Sequence, residues 1–144
     1  MNSRVLSLSQ VARTTGLPKK IVDPIKPHWF AGFHESRLGK SVGLTQFGVN
    51  HVTLDPGAAS SLRHWHQAED EFVFVLAGTL TLIDDNGEHV LEAGGFVGFP
   101  AGEANAHHLM NKSSAPATFI AVGSRKPGEE TIHYPDDRPN PVRK

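Results

Sequence analysis

The feature that most constrains this chain is an alternation of apolar and polar residues from Leu44 to Val122. Successive side chains of a strand point to opposite faces, so this pattern predicts strands with one buried face. The sequence Asp85-Asn86-Gly87 predicts a hairpin turn between two of these strands. Many short strands with frequent turns predict a β-sandwich or barrel. The predicted strands are residues 44–54, 63–66, 71–76, 79–84, 88–92, 96–99, 107–111 and 117–122.

The alternation divides the chain into three parts. Residues 1–43 are interpreted as an irregular arm, with a short helix starting at Ser7 as its one regular element. Residues 44–124 form the predicted barrel, and no internal repeat suggests a second one. Residues 125–144 are interpreted as a tail, in which nothing anchors His133 and Tyr134 over a pocket.

Composition excludes several classes of function. The 144 residues carry a formal net charge of −1 and show no basic stripe, which argues against nucleic acid as the main partner. Cysteine is absent, so disulfides and thiolate chemistry are excluded. No apolar run approaches the ~20 residues that a membrane-spanning helix needs. We therefore expect a cytoplasmic protein with no membrane or nucleic-acid partner.

The sequence His64-Trp65-His66 is the strongest indication of chemistry. Its two histidines project to one face of a strand, and Trp65 projects to the other. Glu71 begins the next predicted strand, and a short turn of residues 67–70 would return it beside the histidines. Two residues of that turn, Glu69 and Asp70, are interpreted as solvated. Three potential metal ligands are therefore predicted to lie together.

A second group of polar residues completes the predicted site. His107 and Asn111 are four residues apart, so on a strand they face the same side. His108 would face the opposite side, and it is the alternative ligand because the register of this strand is uncertain. Histidine and carboxylate ligands without sulfur suit one divalent transition metal ion: Mn, Fe, Ni, Co, Zn or Cu. The predicted metal ligands are His64, His66, Glu71 and His107.

These two segments resemble the paired motifs of the cupin superfamily, in particular its small single-domain bacterial members. The first motif has six residues between Gly57 and His64 where the family has five. The second has four between Gly102 and His107 where the family has two, and the family spacing would place Asn105 at the ligand position. The resemblance covers roughly residues 44–124 and implies an all-β, jelly-roll barrel. The residues that match the two motifs are Gly57, His64, His66, Glu71 and Gly78, then Gly94, Pro100, Gly102, His107 and Asn111.

The resemblance implies metal binding but no single reaction. We expect a metal-dependent enzyme that acts on a small oxygen-chelating or anionic molecule, as an oxygenase or as an isomerase or epimerase. A base near the metal would favour isomerisation, and an apolar pocket over a redox metal would favour oxygen chemistry. The alternative is a non-catalytic module that binds or senses a small ligand, because no acid or base outside the ligand set is conspicuous. Glu103 and Asn105 are either pocket-rim residues or turn residues.

The parity of the third predicted strand separates a pocket face from an outer face. Val73 and Val75 share the face of Glu71, so they predict a small and mostly apolar cavity. The same predicted strand also contains Phe72, Phe74 and Leu76. These apolar side chains face outward, so another part of the protein or a partner must cover them. We therefore expect a homodimer, or an arm that packs on this surface.

Overall fold

The computed structural model describes residues 4–16, 27–136 and 142–143. Within these ranges it contains twelve strands, one short α-helix and two 3₁₀-helices. No helix in the described ranges is long and apolar enough to cross a membrane. The helices are α1 (Leu38–Ser41) and the 3₁₀-helices Leu8–Gln10 and Pro27–Trp29. The strands are β1 (Arg13–Thr15), β2 (Phe33–Arg37), β3 (Phe47–Leu54), β4 (Trp65–His66), β5 (Glu71–Ala77), β6 (Thr79–Asp84), β7 (Gly87–Glu92), β8 (Phe96–Phe99), β9 (His108–Met110), β10 (Ala117–Ser124), β11 (Thr131–His133) and β12 (Val142–Arg143).

The strands form three sheets whose paired strands are all antiparallel. One sheet has the order β1-β2-β3-β10-β5-β8, a second has the order β7-β6-β9, and a third has the order β12-β11-β4. In the first sheet β10 lies between β3 and β5, so distant parts of the chain pair with each other. This crossing order gives the predicted all-β jelly-roll barrel.

The core lies between the first two sheets. Val52 and Val75 from the first sheet pack with Leu80, Leu82 and Leu109 from the second, and all five are nearly inaccessible to solvent. Burying each such side chain contributes about 1.5–3 kcal/mol to folding. The predicted alternation is therefore confirmed, because the residues of matching parity are the ones that form the core.

The strand parity of β5 separates two environments. Val73 and Val75 are 3% and 0% exposed, whereas Phe72, Phe74 and Leu76 are 38%, 37% and 45% exposed. The outer face of β5 therefore stays partly open to solvent.

The N-terminal arm is more regular than the sequence indicates. The helix predicted from Ser7 is only the 3₁₀ turn Leu8–Gln10, although Ser7 and Gln10 do form a capping box. The arm then supplies β1 and β2, and β2 pairs with β3 so that Glu35 lies opposite Val52. Within the arm, Phe33–Arg37 forms a regular strand because pairing with β3 satisfies its backbone, and Arg13–Thr15 pairs with it in turn. Residues 17–26 of the arm lie outside the described residues.

The tail is anchored as well. β11 pairs with β4, which places Ile132 opposite His66 and His133 opposite Trp65. The Trp65 and His133 rings stack with centroids 4.0 Å apart, which explains the outward direction of Trp65. The expectation that the tail gives His133 no anchor was therefore wrong.

Candidate metal centre

His64 and His107 are brought together by one isolated bridge between two chain segments. The N–H of His64 donates to the carbonyl of His107 at 3.1 Å, and the N–H of His107 donates back at 2.9 Å. The two imidazole centroids are 4.8 Å apart. His107 also stacks on Phe99 with a centroid distance of 3.5 Å, which fixes the plane of its ring.

Glu71 lies at the centre of the histidine cluster. Its Oε1 atom is 2.8 Å from Nε2 of His107, 3.3 Å from Nε2 of His66 and 3.5 Å from Nε2 of His64. The carboxylate reaches this position because β5 begins at Glu71 beside Phe99 of β8. The structure thus brings together the four residues that the spacing predicts: His64, His66, Glu71 and His107.

The other nitrogen of each imidazole is occupied by an acceptor. Nδ1 of His64 is 2.9 Å from the carbonyl of Leu62, and Nδ1 of His107 is 3.0 Å from the carbonyl of Asn105. Nδ1 of His66 is 2.8 Å from Oε2 of Glu130. Because a carbonyl or a carboxylate only accepts hydrogen bonds, Nδ1 is the donor in each ring. In a neutral imidazole the Nε2 lone pair is then directed at Glu71, and Nε2 donates to Glu71 only when the ring is protonated.

This donor set fits a divalent transition metal ion. Three Nε2 lone pairs and a carboxylate oxygen repel one another unless a proton or a cation lies among them. Ligands about 2.1 Å from an ion lie roughly 3.0–3.4 Å from one another in octahedral or tetrahedral geometry. The three separations from Oε1 of Glu71 to the imidazoles, 2.8, 3.3 and 3.5 Å, lie within about 0.2 Å of this range. His64, His66 and Glu71 also form a group whose potential ligand atoms all lie within 4.8 Å of one another.

The electrostatics of the cluster support the same conclusion. Burial would lower the pKa of His66, but the hydrogen bonds and charges of Glu71 and Glu130 outweigh burial and raise it. Burial would raise the pKa of Glu71, but hydrogen bonds from His107, His64 and His66 hold it well below its usual range. The cluster therefore favours an ionised carboxylate with a positive charge beside it.

Two buried carboxylates behind His66 were missed by sequence reasoning. Glu130 is 1% exposed, and its Oε1 atom accepts a hydrogen bond from the N–H of Ala68 at 3.0 Å. Glu69 is 5% exposed, and its Oε2 atom accepts from the N–H of Lys126 at 2.9 Å. The interpretation of Glu69 as a solvated turn residue was wrong, because the chain after β10 covers it. Asp70 is exposed as expected, and its side chain accepts from the N–H of Ala101.

The neighbours of His107 have structural contacts of their own. Nδ1 of His108 donates to the carbonyl of Ser61 at 2.8 Å, and its ring packs edge-on against Trp29. His107, not His108, is the residue that contacts Glu71. Asn105 joins the hairpin by accepting from the N–H of Asp85 at 2.9 Å, which is a turn role. Glu103 is exposed in the same loop.

A cavity of about 240 Å³ adjoins the four clustered side chains. Its apolar part includes Phe33, Val52, Val73 and Phe119, which agrees with the small pocket expected from strand parity. Val75 lies deeper in the core and does not line it. The polar part includes Asn50, Ser60 and Ser61 in addition to the cluster.

Glu35 also lines this cavity, and sequence reasoning missed it. Its side chain is 17% exposed, and its Oε1 atom accepts a hydrogen bond from Nε of Arg37 at 3.3 Å. Its partner in the sheet, Val52, is buried in the core, so Glu35 lies on the inner face of β2. The signal was hidden because the arm showed no strand pattern. The cavity therefore has a carboxylate that does not belong to the histidine cluster.

Comparison with known proteins agrees with this fold. The cupin domain family (Cupin_2) matches residues 50–123, which contain all four residues of the cluster. No curated protein sequence matches the chain.

Solved structures give a closer similarity. A sugar phosphate isomerase of the cupin superfamily from Silicibacter pomeroyi is 46% identical, with a TM-score of 0.83, over 92% of this chain and 82% of that one. A protein from Acidithiobacillus ferrooxidans, provisionally named a sugar phosphate isomerase, is 30% identical, with a TM-score of 0.78, over 92% and 81%. A polyketide cyclase from Streptomyces resistomycificus shares the fold at 17% identity and a TM-score of 0.66, over 96% and 83%. The chain therefore belongs to the cupin superfamily, as a protein with one small cupin domain.

Proposed function

We propose that this protein is a metal-dependent isomerase that acts on a small phosphorylated sugar. The observation that carries the proposal is Glu35, a carboxylate outside the histidine cluster that lines the same cavity. Sugar isomerisation needs a base that removes a proton from the carbon beside a carbonyl and returns it to the former carbonyl carbon, while the proton of the neighbouring hydroxyl passes to the former carbonyl oxygen. Glu35 would supply that base, so the cavity has both parts that the reaction requires.

The residues of the chain divide the work as follows. His64, His66, Glu71 and His107 would hold one divalent transition metal ion. When bound, the ion supplies Lewis-acid polarisation of a substrate oxygen. Nε of Arg37 donates to Oε1 of Glu35 at 3.3 Å and holds this carboxylate at the cavity wall. Phe33, Val52 and Phe119 exclude water from the cavity and limit it to small substrates.

The relatives support the substrate class. The two solved cupins at 46% and 30% identity carry the name sugar phosphate isomerase. Both align with 92% of this chain, so the alignment includes the arm that provides Glu35 or most of it. A cavity of about 240 Å³ suits a monosaccharide and excludes a polymer.

The test is a proton-exchange assay with metal-loaded protein. Aldose and ketose phosphates are incubated in D₂O, and deuterium at the carbon beside the carbonyl is followed by NMR. Replacing Glu35 by Gln should lower turnover by about 10²–10⁴-fold, the usual contribution of a general base, with metal content unchanged. Glu88→Gln is the matched control, because Glu88 is an exposed glutamate that pairs with Lys112 away from the cavity.

The same panel under air and under nitrogen separates the competing functions. Turnover that needs dioxygen would contradict the proposal and favour an oxygenase. Saturable binding without turnover under either gas would favour a sensing module. Equal turnover by wild type and Glu35→Gln would remove Glu35 from the reaction.

We also propose that the protein is a homodimer. Phe96 on edge strand β8 is 63% exposed, and it contacts both Phe72 and Phe74 on the open face of β5. A second copy would cover this aromatic patch. Light scattering should give twice 15.6 kDa, and Phe96→Ser with Phe74→Ser should give a monomer. A monomeric wild type at micromolar concentration would contradict the proposal.

A further inference from the structure

A second, smaller cavity adjoins the metal cavity at the mouth of the barrel. Its volume is about 150 Å³, and it shares Asn50, His66 and Glu71 with the larger cavity. Its lining also includes Ser124, the last residue of β10, the following residue Arg125, and the carboxylates Glu69 and Asp70. The two cavities therefore meet at the histidine cluster.

Two paired glycines open the mouth at this point. Gly48 of β3 lies opposite Gly123 of β10, and both share the parity of the inward residues of their strands. A methyl group built on Gly48 would lie 2.6 Å from a terminal nitrogen of Arg125. The guanidinium of Arg125 therefore lies across the inner face of Gly48, and any larger residue at position 48 would displace it.

The charge of Arg125 is available for a ligand. Its main chain is held by a hydrogen bond to the carbonyl of Gln46 at 3.0 Å. Among the described residues, no hydrogen bond or ion pair engages its guanidinium. The nearby carboxylates already accept other donors, because Glu69 binds the N–H of Lys126 and Asp70 binds the N–H of Ala101.

We propose that Arg125 binds the phosphate group of the substrate while the sugar oxygens lie at the histidine cluster. A guanidinium donates two parallel hydrogen bonds to a phosphate, so it selects for this group over a neutral hydroxyl. The amide of Asn50 lines both cavities and would contact the substrate between its two ends. This inference rests on the proposed function, since it names the residue that recognises the phosphorylated class of substrate.

The test measures binding of inorganic phosphate to the metal-loaded full chain by calorimetry. Arg125→Gln should raise the dissociation constant about 10- to 100-fold, as expected when charge-assisted hydrogen bonds are lost. Arg125→Lys keeps the positive charge but loses the two parallel N–H donors of the guanidinium. Its affinity for phosphate should therefore lie between that of wild type and that of Arg125→Gln. Lys126→Gln is the matched control, because it removes the same charge from a neighbouring exposed side chain and should change the constant less than twofold.

The outcomes separate this inference from the proposed function. Undetectable phosphate binding by wild type, equal affinity of wild type and Arg125→Gln, or equal losses in Arg125→Gln and Lys126→Gln would each overturn it. Isomerisation of unphosphorylated sugars would leave the proposed reaction standing while this subsite fails. Phosphate binding that depends on Arg125 without any turnover would support the subsite and contradict the isomerase.

Discussion

The two ends of one short segment, His107 and Asn111, bury polar side chains in opposite ways. Asn111 is 0% exposed, and its amide group donates to the carbonyls of Leu54 and Ala115 at 2.8 Å each. Its oxygen accepts from the N–H of Ser113 at 2.9 Å. Every polar atom of Asn111 is thus satisfied within the protein, mostly by main chain.

His107 is 4% exposed, but its Nε2 atom shares one oxygen of Glu71 with two other imidazoles. A carboxylate oxygen only accepts hydrogen bonds, so it cannot satisfy the Nε2 lone pair of a neutral imidazole that faces it. The difference shows that the polar groups of Asn111 are satisfied by the protein itself, which is a structural role. The Nε2 atom of His107 is satisfied only when a proton or a cation lies between it and Glu71. The following predictions test that difference, beginning with the largest expected effect.

Replacing His64 and His66 together by Ala should abolish metal binding. Wild-type protein is expected to hold about one transition-metal ion per chain, and the double variant should hold none, because two of four ligands are lost. Elemental analysis after reconstitution at neutral pH measures both. A wild type without metal under these conditions would remove the basis of the site.

Replacing Asn111 by Ala should lower the free energy of unfolding by about 3 kcal/mol, because the buried carbonyl of Leu54 would lose its side-chain donor and the bonds to Ala115 and Ser113 would be lost too. Chemical denaturation measures this change, with Ser114→Ala, an exposed change in the same turn, as the control. The folded variant should still bind one ion per chain. Loss of metal without loss of stability would reverse the comparison.

Replacing Glu130 by Gln should weaken metal binding about 10- to 100-fold, because Glu130 orients His66 through its Nδ1 atom. A competition titration with a chelator measures the affinity, and NMR of the His66 ring nitrogens reports the tautomer. Glu129→Gln, at the exposed neighbouring position, should change neither. An unchanged tautomer together with unchanged affinity would show that Glu130 is only structural.

Stability of the metal-free protein and affinity for metal should respond to pH in opposite directions. The pKa of His66 is raised by folding, so protonated His66 stabilises the folded state. This contribution to the free energy of unfolding is complete below the ordinary histidine pKa of about 6.5, and it is lost as the pH rises through the raised pKa. The pKa of Glu71 is lowered by folding, so ionised Glu71 stabilises the folded state. This contribution is complete above the ordinary glutamate pKa of about 4.3, and it is lost as the pH falls through the lowered pKa. These two groups therefore favour the metal-free fold most between about pH 4.3 and 6.5, whereas metal needs a neutral His66 and binds better at higher pH.

Unfolding curves of metal-free protein from pH 4 to pH 9 test this contrast. Asn111→Ala should keep the pH dependence of wild type, because its hydrogen bonds involve no titrating group. His66→Ala should flatten the decline above pH 6.5. A decline that persists unchanged in His66→Ala would assign it to another group.

Local spacing explains why the sequence predicted the cluster. His64 and His66 share a face by parity, and the turn before Glu71 is short, so these three need no knowledge of distant pairings. His107 joins them through its bridge to His64, a distant pairing that the resemblance to the paired cupin motifs implied. The same parity predicted the exposed face of Phe72, Phe74 and Leu76.

Long-range pairing explains what the sequence did not reveal. Glu35 enters the cavity only because β2 pairs with β3, and Glu130 reaches His66 only because β11 pairs with β4. Glu69 is buried by a main-chain contact 57 residues away, at Lys126. No periodicity within these segments distinguishes such residues from solvated ones.

The pairing of β11 with β4 has a consequence for synthesis of the chain. Ribosomes make proteins from the N-terminus, and Glu130 follows His66 by 64 residues. A nascent chain that ends before Glu130 already contains His64, His66, Glu71 and His107 but lacks the carboxylate that orients His66. Tight metal binding is therefore expected to be a late event, which follows release of the tail rather than formation of the barrel strands.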